Sequence, residues 1–229
     1  MENFFIPLLI IHIVSGSVSL LSGFVNILRR KGDRAHKQFG QVFVIAMLVA
    51  AFSALLMSVL RENLFLFVIG FFTIYMIGTG VRYLKIKRRV IAKRVRWNDW
   101  TLSVLMFFFG LFLIFKGITM LIHSNLFGSV LTTFGLISIL MVYQDIINLR
   151  GNSNFKNFGL LTHIQRMIGA YIASITAFLV VNIDFVPGAI LWLLPTFLMV
   201  PLIFVWSNKF KILKSETTKR NKFPLDDLD

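Results

Sequence analysis

The sequence predicts an all-α fold: a polytopic bundle of seven transmembrane helices, N-terminus outside and C-terminus cytoplasmic. Three observations carry that expectation. Apolar runs long enough to cross a bilayer recur along the chain, the connectors between them alternate in charge, and no run follows the two-residue period of a membrane β-strand. Composition agrees, with 57% hydrophobic and 15% charged residues and a mean hydropathy of +0.79. A soluble domain of similar length carries about one quarter charged residues.

A span needs roughly 20 mostly apolar residues to cross a core of ~30 Å. Residues 4–27, 38–60, 64–84, 100–122, 126–148, 161–182 and 188–207 meet that requirement. Amides and carbonyls in lipid must bond within their own segment, so these runs are expected to be helices. The first opens MENFFIPLLIIHIVSG, with no basic leader and an apolar run too long for a signal-peptide core, and reads as a retained span. Arg29, Arg30, Lys31, Arg34 and Lys37 follow it. The third connector, RYLKIKRRVIAKRVRW, holds eight cations from Arg82 to Arg96. Arg150 and Lys156 lie between spans five and six, and six more cations follow span seven. The opposite connectors, REN, HSN and NIDFVPG, hold only Arg61. With 21 of 24 Lys and Arg on one side, the positive-inside rule sets the orientation. Residues 1–208 then form the membrane domain, and 209–229 a polar cytoplasmic tail expected to be disordered.

The net charge of +14 therefore reads as topogenic, and no nucleic-acid partner is expected. The expected partner is the bilayer itself, with anionic lipids at the basic cytoplasmic loops. Residues 82–97 interleave Ile86, Val90, Ile91, Val95 and Trp97 with their cations, a pattern suited to an interfacial helix and equally to an ordinary topogenic loop. The absence of cysteine excludes disulfides, thiolate metal sites, thiol nucleophiles and covalent c-type haem. The last span has no lysine for a retinal Schiff base, and the chain has no phosphate-binding loop, nucleophile elbow or dinucleotide fingerprint. Nothing in the pattern assigns catalytic residues or an oligomeric state.

Ionisable groups within spans are costly and mark candidate sites. They are His12, Lys116, Asp145, His163 and Arg166, joined by the polar aromatics Tyr75, Tyr143 and Tyr171. On the first span His12, Gly16, Ser19 and Gly23 fall in one stripe suited to close approach of a helix or a flat cofactor. His36 and His163 open spans two and six from the same side. Two imidazoles at one level suit the axial positions of a b-type haem, with Arg29, Arg82 or Arg166 placed for its propionates and His12 as a second-site candidate. Alternatively His36 and His163, with Asp99 or Asp145, form a hydrolytic zinc set, as a membrane lipid hydrolase would use. A transporter of a small solute or of protons would instead line its path with His12, Tyr75 and Lys116. A chain without any cofactor fits equally, its histidines capping helices and meeting headgroups.

HIVSGSVSLLSGFVNILRRKGDRAHKQFGQVF, YMIGTGVRYL and HIQRMIGAYIASITAFLVVN together carry a resemblance. The chain resembles a bacterial family of uncharacterised multi-span membrane proteins with a His–Gly first span, a Lys-Gly…His-x-x-x-Gly connector and a late His-x-x-Arg-Met helix. The matching residues are His12, Gly16, Lys31, Gly32, His36, Gly40, His163, Arg166 and Met167. The resemblance implies a bacterial inner-membrane location. Multiple helices with interfacial histidines are also loosely similar to b-type di-haem cytochromes.

Overall fold

The computed structural model describes residues 2–91, 95–186 and 188–212. From residue 213 the tail lies outside the described residues, as do residues 92–94 of the long basic connector. Seven helices occur among the described residues: α1 Glu2–Leu28, α2 Arg34–Leu60, α3 Leu64–Ile91, α4 Thr101–Ile122, α5 Phe127–Leu149, α6 Phe158–Asn182 and α7 Gly188–Phe210. A single 3-10 turn, Trp97–Asp99, precedes α4. Length and composition suit α1 to α6 to crossing a membrane, while the described apolar run of α7 is the shorter Leu194–Phe210.

The helices overrun the apolar stretches where polar residues can terminate them. The Asp33 carboxylate accepts a hydrogen bond from the His36 amide (2.6 Å), so α2 begins four residues before its apolar run. Just upstream, the Lys31 ammonium donates to the carbonyls of Asn26 and Ile27, each at 2.7 Å, and closes the end of α1. Gly32 supplies the left-handed turn between the two caps, at φ +88°.

The chain divides into two compact units, one of Met1–Val81 with Ile164–Trp206, the other of Arg82–His163 with Ser207–Asp229. In the first, α1 lies antiparallel to α2, His12 reaching Ala50 while Gly40 meets Asn26. The buried face of α1 is Ser15, Ser19, Ser22 and Gly23. A Cβ on Gly23 would stand 2.6 Å from the Tyr171 ring of α6, but one on Gly16 would meet nothing within 4 Å. The contact stripe is thus His12, Ser15, Ser19, Ser22 and Gly23: of the expected positions His12, Ser19 and Gly23 face inward, while Gly16 does not and Ser15 takes its place. Helix α6 also runs against α3, with Gly80 facing Arg166 and Met167, and Gly169 facing Met76.

In the second unit α4 and α5 form an antiparallel hairpin packed through glycine. A Cβ on Gly117 would stand 2.7 Å from the Gly128 carbonyl and 2.7 Å from the Thr132 amide. One on Gly110 would stand 2.9 Å from Ser138 Cβ and 3.2 Å from the Gly135 carbonyl. Lipid tails are as apolar as leucine, so such close backbone approach, rather than a hydrophobic drive, holds membrane helices together. Past α7 the chain is fastened within this unit: Asn157 donates to the Phe210 carbonyl and accepts from the Ile212 amide at 3.0 Å. Gly117→Leu therefore lowers the thermal midpoint in mild detergent, by about 1–3 kcal/mol of overpacking strain. Gly16→Ala leaves that midpoint unchanged, because its methyl enters open space.

Candidate functional site

The intramembrane polar groups of the first unit sit along one seam. His12 Nδ1 lies 2.9 Å from the Ala50 carbonyl and 3.2 Å from Ser53 Oγ. A carbonyl oxygen can only accept, so Nδ1 carries the proton and a neutral imidazole keeps its lone pair on Nε2. Below it on α1, Ser15 donates to the Ile11 carbonyl (2.6 Å), Ser19 to that of Gly16 (2.8 Å) and Ser22 to that of Val18 (2.7 Å). Each hydroxyl spends its hydrogen on its own helix and retains acceptor lone pairs. Tyr171 Oη donates to the Leu20 carbonyl at 3.2 Å, bringing a phenol from α6 to the same seam.

Arg166 closes this series. Its side chain is 1% exposed, and its guanidinium lies over the Tyr75 ring, 4.9 Å from the centroid. The approach of α3 to α6 at Gly80 makes that stack possible, because a Cβ there would stand 3.0 Å from Arg166 Cβ. Counting ~1.5 Å per residue along α1 and the antiparallel α6, Arg166 stands ~20 Å from the level of His12.

The second unit holds a different cluster. Asp145, wholly buried on α5, accepts from Tyr83 Oη (2.9 Å) on α3 and Ser103 Oγ (2.7 Å) on α4. One turn on, Asn148 donates to Thr162 Oγ1 at 3.0 Å. Arg82 pairs with the buried Asp99 at 2.6 Å, and Asp99 also accepts from the Arg96 amide at 2.8 Å. These bonds tie the ends of α3, α4, α5 and α6 together. The chain position of Asp145 marks it as notable, but its partner is Tyr83, whereas the nearer phenol in sequence, Tyr143, is 62% exposed. Tyr83, a polar aromatic at the end of the third expected span, carries the same signal as Tyr75 though it is not among the expected candidates, whereas Ser103 carries none.

His36 occupies the first turn of α2 in the first unit, and His163 falls in the second. Arg29 forms an (i, i+4) pair with Asp33 at 3.7 Å. The Asp33 carboxyl is held below its ordinary range, first by the His36 amide, while its own desolvation opposes this and Arg29 adds to it. Burial lowers Lys31, whose ammonium also sits 4.0 Å from the centroid of the Trp206 ring. Lys116 is exposed on α4 in the second unit. Among the described residues no three His, Cys, Asp or Glu side chains gather as a metal site.

A family model described as "Predicted membrane protein (DUF2306)" matches residues 9–126, which run from α1 past the end of α4. No curated protein and no solved structure matches the chain. Asp145→Ala removes the acceptor shared by two buried hydroxyls and lowers thermal stability in detergent by about 1–3 kcal/mol, whereas Asp145→Asn, which still accepts, loses less.

Proposed function

The chain belongs to the DUF2306 family of predicted membrane proteins, and from that premise we propose that it transports a small anionic solute across the membrane. The observation that carries this reading is the buried guanidinium of Arg166, stacked on Tyr75 inside an apolar helix. A cation at that depth costs several kcal/mol and is retained where an anion passes or binds. Stacking on Tyr75 orients a guanidinium, the group that recognises carboxylates and phosphates by two parallel bonds. The hydroxyls of Ser15, Ser19, Ser22 and Tyr171 mark the polar seam between His12 and Arg166, and since each donates to a backbone carbonyl, it is Arg166 that supplies the attraction for an anion. Lys116, the third residue expected to line such a path, is exposed on α4. In this reading all seven helices cross a bacterial inner membrane, and the cation-rich connectors face the cytoplasm.

A second reading is favoured by His12 alone. An imidazole whose Nδ1–H is fixed on a backbone carbonyl presents Nε2 as a metal ligand, the arrangement haem-binding histidines use. The residues present fit a single axial ligand, because His36 stands ~21 Å along α2 from the Ala50 level. A b-type haem would supply one-electron transfer there. Purified protein that stays colourless after hemin addition removes this reading. The zinc hydrolase has no ligand set among the described residues.

The transport reading is tested in proteoliposomes against a panel of small carboxylates and phosphates. Arg166→Gln should abolish uptake of any transported anion and Arg166→Lys should retain part of it, with both variants still monodisperse in detergent. Uptake by Arg166→Gln at the wild-type rate, or no uptake of any panel member, contradicts the proposal.

A further inference from the structure

Trp97 is 83% exposed, an unusual position for so large an apolar side chain. Its exposure is imposed by the surrounding structure. Val95 and Trp100, on either side of it, pack against the buried cluster of Tyr83, Ile86, Leu149 and Phe158. Asp99 locks the turn from beneath, accepting from Arg82 and from the Arg96 amide, while the Trp100 amide donates to the Trp97 carbonyl at 3.0 Å. The indole is thus held outward on a braced turn.

Two further observations identify what it meets. Helix α4 starts four residues later, at Thr101, and runs unbroken apolar from Val104 to Phe109, so Trp97 stands where a span enters the headgroup layer. The connector from Arg82 to Arg96 carries eight cations, and its described members Lys85 and Arg96 are exposed. The nearby carboxylate, Asp99, is buried and paired with Arg82. We infer that Trp97, with the exposed cations Lys85 and Arg96, forms a docking surface for the anionic headgroups of the leaflet into which α4 inserts. An indole supplies an amphipathic ring for the interface, and the lysines and arginines supply charge complementarity. A surface fixed one turn from a span stays within the headgroup layer, which favours lipid over a soluble polyanion.

The test uses the full chain in nanodiscs of phosphatidylcholine alone, or of phosphatidylcholine with phosphatidylglycerol. Emission of Trp97 is taken as the difference between wild type and Trp97→Phe, and its access to water is read from quenching by acrylamide. The expected result is a blue shift and about twofold weaker quenching in the anionic discs, both lost in the Lys85→Gln, Arg96→Gln double variant. Equal quenching in the two lipids, whether strong or weak, overturns the inference, as does a lipid difference that survives in the double variant. Protection of Trp97 in neutral discs by added RNA to the same degree as by anionic lipid also overturns it, making the surface a general polyanion site.

Discussion

A polar group inside a bilayer has no water to turn to, and that constraint governs how this chain is built. Backbone groups meet it by forming helices, and side chains meet it within a few residues or at the neighbouring helix. Ser15, Ser19 and Ser22 bond to carbonyls one turn back on α1. His12 crosses to Ala50, and Asp145 gathers hydroxyls from two other helices. A buried acceptor stripped of its donors costs about 1–3 kcal/mol, comparable to a large part of a domain's net stability. Once these bonds are satisfied, the polar residues fix which helix faces meet.

Packing supplies what the hydrophobic effect cannot. Helices α4 and α5 approach through Gly110, Gly117, Gly128 and Gly135, and α1 admits the Tyr171 ring at Gly23. The apolar side chains Phe4, Ile10, Val14, Leu21 and Phe24 remain on the outer face of α1, suited to lipid. Arg166 is buried where α3 meets α6, its guanidinium over the Tyr75 ring, so that it too helps fix which helix faces meet.

Fold class and element order were legible in the sequence because hydropathy integrates over some twenty residues and tolerates local error. The helix ends were less so. Asp33 extends α2 upstream of its apolar run through one carboxylate, a signal visible only once the cap is considered. On α1 the expected stripe holds at His12, Ser19 and Gly23 and fails at Gly16: a glycine looks like a packing residue and a serine does not, yet it is Ser15 that the helix turns inward. At the sites, His12, Asp145 and Arg166 stand out as ionisable residues in apolar surroundings. Their partners Ala50 and Ser103 do not, and nothing in the sequence pairs Tyr83 with Asp145, because hydropathy names spans and sides but never neighbours.

The central claim is that the His12–Arg166 seam is a solute path and more than a well-bonded interface. The chain contains no cysteine, so single cysteines can be placed without altering the background. The most direct measurement is labelling of Ser19→Cys and Ser22→Cys in intact vesicles by a membrane-impermeant thiol reagent, with Val18→Cys and Leu21→Cys as lipid-facing references. The account predicts that the two seam positions react and that the references react only with a membrane-soluble maleimide. Seam cysteines inert to the impermeant reagent in every condition would make this face a packing surface and contradict the account.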